Sequence, residues 1–360
     1  MQLAAPSAGA QIDPQAAGLC ADVLESAEQA SRGSAPEQAF RLCDALVTLR
    51  VAGGDFEAHL TRALRHAGAP PGGAAVPALR VFALDGRAAA GRLPPVWPFS
   101  YADQRHLERL HVSADRRVYV RLDEDTRTWQ VFDRARRRAA IWTEDASRLP
   151  DWEQSFPLRT LLNWLLAPSP ASLAHAAVVC DGERGLLLAG PGGSGKSTTT
   201  VACLEIGMQT CGDDFVAVTG GAAPRAHALF DTVKLDERSL ALFPHLAPHA
   251  VGPGPARGSK ARIHLSELCP ARLRPSCSLA AIVVPRVAPG EPTRVAPLAK
   301  TAALRALVPS TVFLTRGAEL ETAAKLGALV RTLPTWDLCI GGAPDEAARA
   351  LRALLAEGSP

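Results

Sequence analysis

The sequence predicts an α/β fold, with a P-loop domain over residues 151–360 behind a smaller α+β domain over residues 1–150. Three observations predict it. Residues 190–197 read Gly-Pro-Gly-Gly-Ser-Gly-Lys-Ser and fit G-x-x-x-x-G-K-[ST] at every fixed position. The loop lies between the apolar run 185–189 (GLLLA) and a helical stretch from Thr198, which is the strand–loop–helix context that the motif needs. Near residue 150 the pattern changes from short alternating strands to apolar strands interleaved with helices.

Taken in order, the first 30 or so residues read as a polar, Ala-rich helix, and residues 40–51 (FRLCDALVTLRV) as one strand. Phe56, Leu60 and Leu64 recur at helical spacing within residues 55–66. Residues 67–77 are a loop, 78–84 a strand and 92–100 irregular. Residues 117–122, 128–132 and 139–142 alternate between polar turns and predict an antiparallel meander. Residues 156–167 predict an apolar helix with Pro157 in its first turn. Strands follow at 174–180 and 185–189, then the loop and a helix to about Glu205, with Gly207 as its C-cap. A short strand from Gln209 ends in Gly212-Asp213-Asp214 and is expected to pair beside the strand that feeds the loop. Residues 215–219 are apolar, residues 278–287 form a buried strand, and residues 345–356 an amphipathic helix.

Composition bounds the chemistry. With 47% hydrophobic residues, the 360-residue chain can bury a large core. A net charge of +3 is too small to argue for nucleic acid, and the basic run 134–138 (RARRR) reads as a solvated hairpin edge. The expectation is therefore no nucleic-acid partner. No apolar stretch is long enough for a membrane span and the first residues do not resemble a secretory signal, so a cytoplasmic protein without membrane contact is expected. The eight cysteines are scattered without a C-x-x-C pair and read as small core residues rather than disulfides or a zinc site. Only five of the 39 basic residues are lysines: Lys196, Lys234, Lys260, Lys300 and Lys325. A chain that uses arginine for general positive charge keeps lysine for places that want a compact ammonium.

The loop predicts a nucleotide site. Gly190, Gly192, Gly193 and Gly195 let the backbone curl until successive N–H groups of Ser194 and its neighbours point inward. Lys196 would sit on the β- and γ-phosphates, Ser197 would hold Mg²⁺ with its hydroxyl, and Thr198 opens the helix whose dipole favours the anion. Asp213 and Asp214 lie at the end of the next short strand, where one carboxylate reaches the metal region and the other serves as base. His175 lies on the strand before the loop. Lys260 follows the Gly/Pro-rich stretch 252–257 and is a candidate lid residue, with Lys234 and Arg286 as weaker candidates.

Together, His175-Ala-Ala-Val-Val, the loop LLLAGPGGSGKSTTT and GDDFVAV resemble the HPr kinase/phosphorylase family and its serine-kinase-like relatives. That family's fold is similar to phosphoenolpyruvate carboxykinase around the phosphate loop. The resemblance implies that Asp213 is the catalytic base, helped by His175, and that Ser197 and Asp214 bind the metal. The stretches GSKARIHL and DTVKLD look like those of kinase-like relatives. The resemblance covers roughly residues 155–345. Two features depart from it. Thr198 stands where the parent family has Glu, and the E-I-R-G-L-G type signature is absent. HPr is therefore not the expected substrate.

The resulting expectation is an ATP- and Mg²⁺-dependent kinase acting on a hydroxyl, of Ser or Thr in a peptide or protein. The alternatives are a small-molecule kinase of the same fold, or a regulatory ATPase that transfers nothing. Residues 1–150 are expected to hold the acceptor or a contact within a homo-oligomer.

Overall fold

The computed structural model describes residues 14–33, 36–69, 76–89, 93–98, 108–252 and 260–357. The chain is α/β and divides into two units. The first comprises residues up to 61, 68–153 and 158–165; the second comprises 62–67, 154–157 and everything from 166.

The first unit is a mixed eight-stranded sheet. In spatial order its strands are Gly68–Ala69, Gln38–Leu42, Ala45–Ala52, Leu79–Asp85, Arg138–Thr143, Thr128–Asp133, Val118–Asp123 and Glu108–Val112. The last four form an antiparallel meander, while Ala45–Ala52, Leu79–Asp85 and Arg138–Thr143 are mutually parallel. Strands Val118–Asp123, Thr128–Asp133 and Arg138–Thr143 are buried on both faces. Helix Pro14–Ser31 packs Val23, Leu24 and Ala27 into a cluster with Val120, Trp129 and Trp142. Tyr119 stacks on Trp164 with ring centroids 5.2 Å apart, and Arg134 donates to the Tyr119 hydroxyl and the Trp164 carbonyl. The basic run 134–138 is thus a hairpin turn in part absorbed by this packing.

The second unit is the one that positions a site. Its main sheet runs Gln209–Gly212, Ala176–Asp181, Arg184–Ala189, Ser276–Val287, Arg225–His227, Val216–Thr219 and Ala171–Ala174. Thr335–Ile340 pairs with the far half of Ser276–Val287, and Arg294–Pro297 pairs with Thr335–Ile340. Arg184–Ala189, Ser276–Val287 and Thr335–Ile340 are parallel, so Ala189, Val287 and Ile340 end at one edge. Helices cover both faces. Lys196–Glu205 and Pro344–Ala356 lie on one, with Val179, Leu186, Leu188 and Cys203 in the same cluster. Helices Lys300–Leu314 and Glu319–Thr332 lie on the other, with Val178, Leu187, Leu307 and Leu329. Alternate residues of one strand fill opposite clusters, which explains continuous apolar runs such as GLLLA.

Several sequence expectations needed revision. Residues 40–51 form a hairpin, not one strand: Cys43 and Asp44 both take positive φ (49° and 63°) and join Leu42 directly to its partner Ala45. Side-chain alternation carries no mark of a turn only two residues long. The helix foreseen over 55–66 ends at Thr61 and continues as a 3₁₀ turn, Arg62–Ala67. The loop 67–77 contains the short strand Gly68–Ala69, and its residues 70–75 fall outside the described ones. The helix expected from 156 starts at Arg159, because Leu158 takes φ 62° and breaks it from Asp151–Ser155. The strand expected over 174–180 is interrupted at His175, where the chain passes from one pairing partner to another. Strand Gln209–Gly212 pairs with Ala176–Asp181 and not with the loop-feeding strand, whose far side is taken by Ser276–Val287.

The Cys43–Asp44 turn has the all-positive φ geometry that favours Asn-Gly. Replacing the pair by Asn-Gly (C43N with D44G) should raise the denaturation midpoint, by about 1 kcal/mol of stability. An unchanged or lower midpoint would contradict this account of the hairpin.

Candidate functional site

Helix Lys196–Glu205 has little intrinsic preference to be helical, with three consecutive threonines near its start. Tertiary packing holds it, and Gly195, at φ 100°, is its N-cap. A side chain at 195 would be strained, and its Cβ would meet Ile340 Cδ1 at 3.0 Å. The helix therefore opens directly from a tight loop, with its first N–H groups facing the loop's concave side. Lys196 is buried and its ammonium folds back to donate to the carbonyls of Gly190 (2.7 Å) and Pro191 (3.1 Å). Burial lowers its pKa, against the opposing pull of Asp214 and Asp213.

A cavity of about 660 Å³ lies in front of this loop. Gly192, Gly193, Gly195, Lys196, Ser197 and Thr198 line one side of it. Lys234, Lys260, Arg238 and Asp214 add charge, and Val287, Pro289, Ile340 and Pro344 add an apolar wall. Three of the chain's five lysines thus meet in one cavity. Two of them arrive on a two-stranded ribbon, Thr232–Leu235 with Ala261–His264. Its register pairs Lys234 with Arg262 and Leu235 with Ala261, which brings Lys234 and Lys260 to the same end. The other end is pinned by Asp231. This carboxylate is fully buried, lies 3.0 Å from His264 Nδ1 and accepts from the Ser266 hydroxyl and N–H. Residues 253–257 of the expected lid, with 258 and 259 before Lys260, lie outside the described residues.

The two aspartates occupy different environments. Asp214 takes φ 62°, and the Phe215 N–H donates to the Asp213 carbonyl at 2.7 Å across it. That is a three-residue turn of the rare, strained kind. It turns Asp214 onto the cavity wall, 3.0 Å from the Lys234 ammonium and 3.6 Å from His175 Nε2. Burial opposes its ionisation, but His175, Lys234 and Lys196 outweigh that and hold it well below the usual carboxylate range. Asp213 lies behind it with no exposed surface. Burial, and then the charge of Asp214, pushes its pKa up to about 6, against the Ser197 hydroxyl, Lys196 and Lys260. Neither carboxylate oxygen of Asp213 has a hydrogen bond of good geometry among the described residues.

His175 is held from three sides. Its backbone N–H donates to Thr311 Oγ1 at 2.9 Å, its ring stacks on Phe215 at 5.2 Å, and Nε2 faces Asp214. Burial lowers its pKa, although Asp214 pulls the other way. Phe156 completes the support: it packs edge-on against Phe215 and Phe230, and Lys234 Nζ sits 4.5 Å above its ring. The Lys234–Asp214 pair is mostly buried, and removing one partner of such a pair costs about 3–5 kcal/mol.

The structure places Gly192, Gly193, Gly195, Lys196, Ser197, Thr198, Asp214 and Lys260 on one cavity, with His175 against Asp214 and Asp213 buried next to it, whereas Gly190 and Ser194 are not part of its lining. It differs from the sequence-based assignment in one further respect. His175 approaches Asp214 and not Asp213, because the strained turn rotates the second aspartate toward it. Lys234 proves as central as Lys260, and the scarcity of lysine was the signal for it. Arg286 lies at the exposed end of its strand, between Glu291 (3.5 Å) and Asp337 (3.8 Å), away from the cavity lining. Phe156 carried no functional signal in the sequence, and Asp231 only that of the DTVKLD stretch it opens.

No family model matches the chain, and no curated protein matches it. Among solved structures it is distantly similar to that of the Hpr(Ser) kinase/phosphatase from Coxiella burnetii. The identity is 12%, the match covers 52% of this chain and 97% of that one, and the TM-score is 0.29. Among the described residues, no helix is long and apolar enough to cross a membrane.

Asp231 tests the role of the ribbon. Asp231→Ala leaves His264 and Ser266 without their buried acceptor and should cost about 1–3 kcal/mol, read as a lower denaturation midpoint. Asp181→Ala, at a 59% exposed side chain, should leave the midpoint unchanged. Equal midpoints for the two variants would remove Asp231 as the pin.

Proposed function

We propose that the chain is an ATP- and Mg²⁺-dependent phosphotransferase that moves a γ-phosphoryl group to a hydroxyl, that of Ser or Thr in a peptide or protein. One observation carries this reading. A glycine loop, three ammonium groups and a carboxylate held in fixed geometry converge on one cavity that also has an apolar wall. Phosphoryl transfer asks a protein mainly for positioning and charge. Loop N–H groups and Lys196 hold the phosphates, Lys260 and Lys234 add positive charge around them, and Val287, Ile340 and Pro344 offer an apolar face to an adenine ring. The acceptor class follows the sequence resemblance.

The donor set fits Mg²⁺. Asp213 has two unpartnered, buried oxygens next to the Ser197 hydroxyl, which suits a hard cation that prefers oxygen ligands. When bound, the ion neutralises charge on the phosphate oxygens. This reading exchanges the two aspartates relative to the sequence expectation: Asp213 and Ser197 hold the metal, and Asp214 faces the acceptor. Asp214 accepts the hydroxyl proton and His175 orients it. A strongly basic group is unnecessary, because in a loose transition state the proton leaves late.

Three variants and the wild-type assay test the proposal. Lys196→Ala should weaken ATP binding at least about tenfold, a loss of 1.4 kcal/mol or more, measured by calorimetry; unchanged affinity would remove the loop as the nucleotide site. Asp214→Asn should lower transfer from labelled ATP to a Ser/Thr peptide library by about 10²-fold or more while ATP still binds. Asp213→Asn should instead raise the Mg²⁺ concentration needed for half-maximal transfer. The opposite assignment of losses would restore Asp213 as the base, and no transfer by the wild-type protein to peptides or small alcohols would overturn the activity.

A further inference from the structure

Three cysteines far apart in sequence meet inside the second unit. Cys180, Cys211 and Cys277 have no exposed surface, and their sulfur atoms all lie within 4.8 Å of one another. The Cys211 and Cys277 sulfurs are 3.6 Å apart. Each comes from a different strand, and two local irregularities bring them together. Cys211 is the extra residue where the pairing of Gln209–Gly212 with Ala176–Asp181 shifts, between Val178 and Val179. Such a bulge re-aims a side chain. Cys180 and Cys277 come from the strands on either side of Arg184–Ala189; there Gly185 pairs with Cys180 and with Leu279, two residues beyond Cys277, and faces the Cys277 sulfur. A Cβ at 185 would lie 2.5 Å from Cys277 Sγ and 3.3 Å from Cys180 Cβ. Only glycine leaves room for Cys277 to reach over the middle strand.

We propose that this cluster is a three-sulfur binding site for a soft monovalent cation, Cu(I). A metal–sulfur distance of about 2.3 Å with three ligands in a plane requires sulfurs about 4.0 Å apart; the Cys211 and Cys277 sulfurs are 3.6 Å apart and all three lie within 4.8 Å of one another, so small side-chain shifts reach that spacing. Thiolates select soft ions. The cluster contains no histidine or carboxylate among the described residues, and the fully buried sulfurs leave no place for a water. Zn²⁺ wants a fourth ligand, whereas Cu(I) accepts three. Arg225 and Arg274 lie near Cys277 and supply positive charge opposite the thiolates. Binding forms three Cu–S bonds and releases the thiol protons to solvent, with no change of oxidation state. The ion ties the edge strand Gln209–Gly212, which leads into Asp213 and Asp214, to the centre of the sheet.

The test uses the reduced full-length protein, titrated anaerobically with Cu(I) against bathocuproine disulfonate. One equivalent should be retained, X-ray absorption should show three sulfur neighbours, and the melting midpoint should rise with Cu(I). Cys277→Ser and Gly185→Ala should each lower the affinity at least 100-fold, whereas Cys203→Ser, in the cluster on the opposite sheet face, should not. Should the site variants fold poorly, the wild-type protein decides through its retained equivalent and the three sulfur neighbours in its absorption spectrum. Absence of a retained equivalent, a nitrogen or oxygen neighbour in the absorption spectrum, or equal loss in Cys203→Ser would overturn the proposal.

Discussion

Two adjacent carboxylates with almost no access to water are an unfavourable thing to build, and the second unit is organised around making them tolerable. Asp214 is stable as an anion only because Lys234 and His175 reach it and Lys196 stands nearby. Asp213 has no ion pair of its own, and burial with its neighbour's charge raises its pKa against the weaker pull of Ser197, Lys196 and Lys260. Everything that places the three cations then matters. The register of the ribbon brings Lys234 and Lys260 to one end, Asp231 pins the other, and Phe156 supports the Lys234 ammonium from below. Thr311 and Phe215 fix His175. Such a cluster is a poor source of net stability, because desolvating charges costs about as much as pairing returns. It is an effective way to hold charge rigidly around a cavity.

The use of lysine makes the same point across the chain. Arginine carries most of the positive charge, often in exposed ion pairs. Three lysines surround the cavity. The other two cap backbone: Lys325 donates to the carbonyls of Leu166, Ala167 and Ala171, and Lys300 to that of Leu333. In all five cases a compact ammonium with three donors in a tight space does what a planar guanidinium cannot. The composition thus held information about location that no single motif contained.

The residues around Cys180 show how irregular pairing creates a cluster that regular pairing excludes. In a sheet without the bulge at Cys211 and the glycine at 185, side chains on neighbouring strands would stand apart in their own rows. The shift and the missing Cβ let three sulfurs converge instead. The strand that contributes Cys211 ends one residue before Asp213, so packing at the sulfurs and geometry at the carboxylates share one short segment.

Local residue pattern was enough to specify the glycine loop at 190–197, the strand and helix on either side of it, three strands of the meander and the α/β class. Those depend on neighbours within a few residues: glycines that permit a turn, a 2.0 or 3.6 periodicity, a buried strand that reads as a continuous apolar run. Long-range packing had to settle which aspartate faces the cavity, that His175 stands at a strand break, that Lys234 joins Lys196 and Lys260, and that Cys180, Cys211 and Cys277 meet. These depend on a strained φ at Asp214, on the register of pairs such as Lys234 with Arg262, and on a bulge opposite Val178. Each is set by how segments many residues apart pack against one another, and a one-residue change of register would send every side chain to the other face.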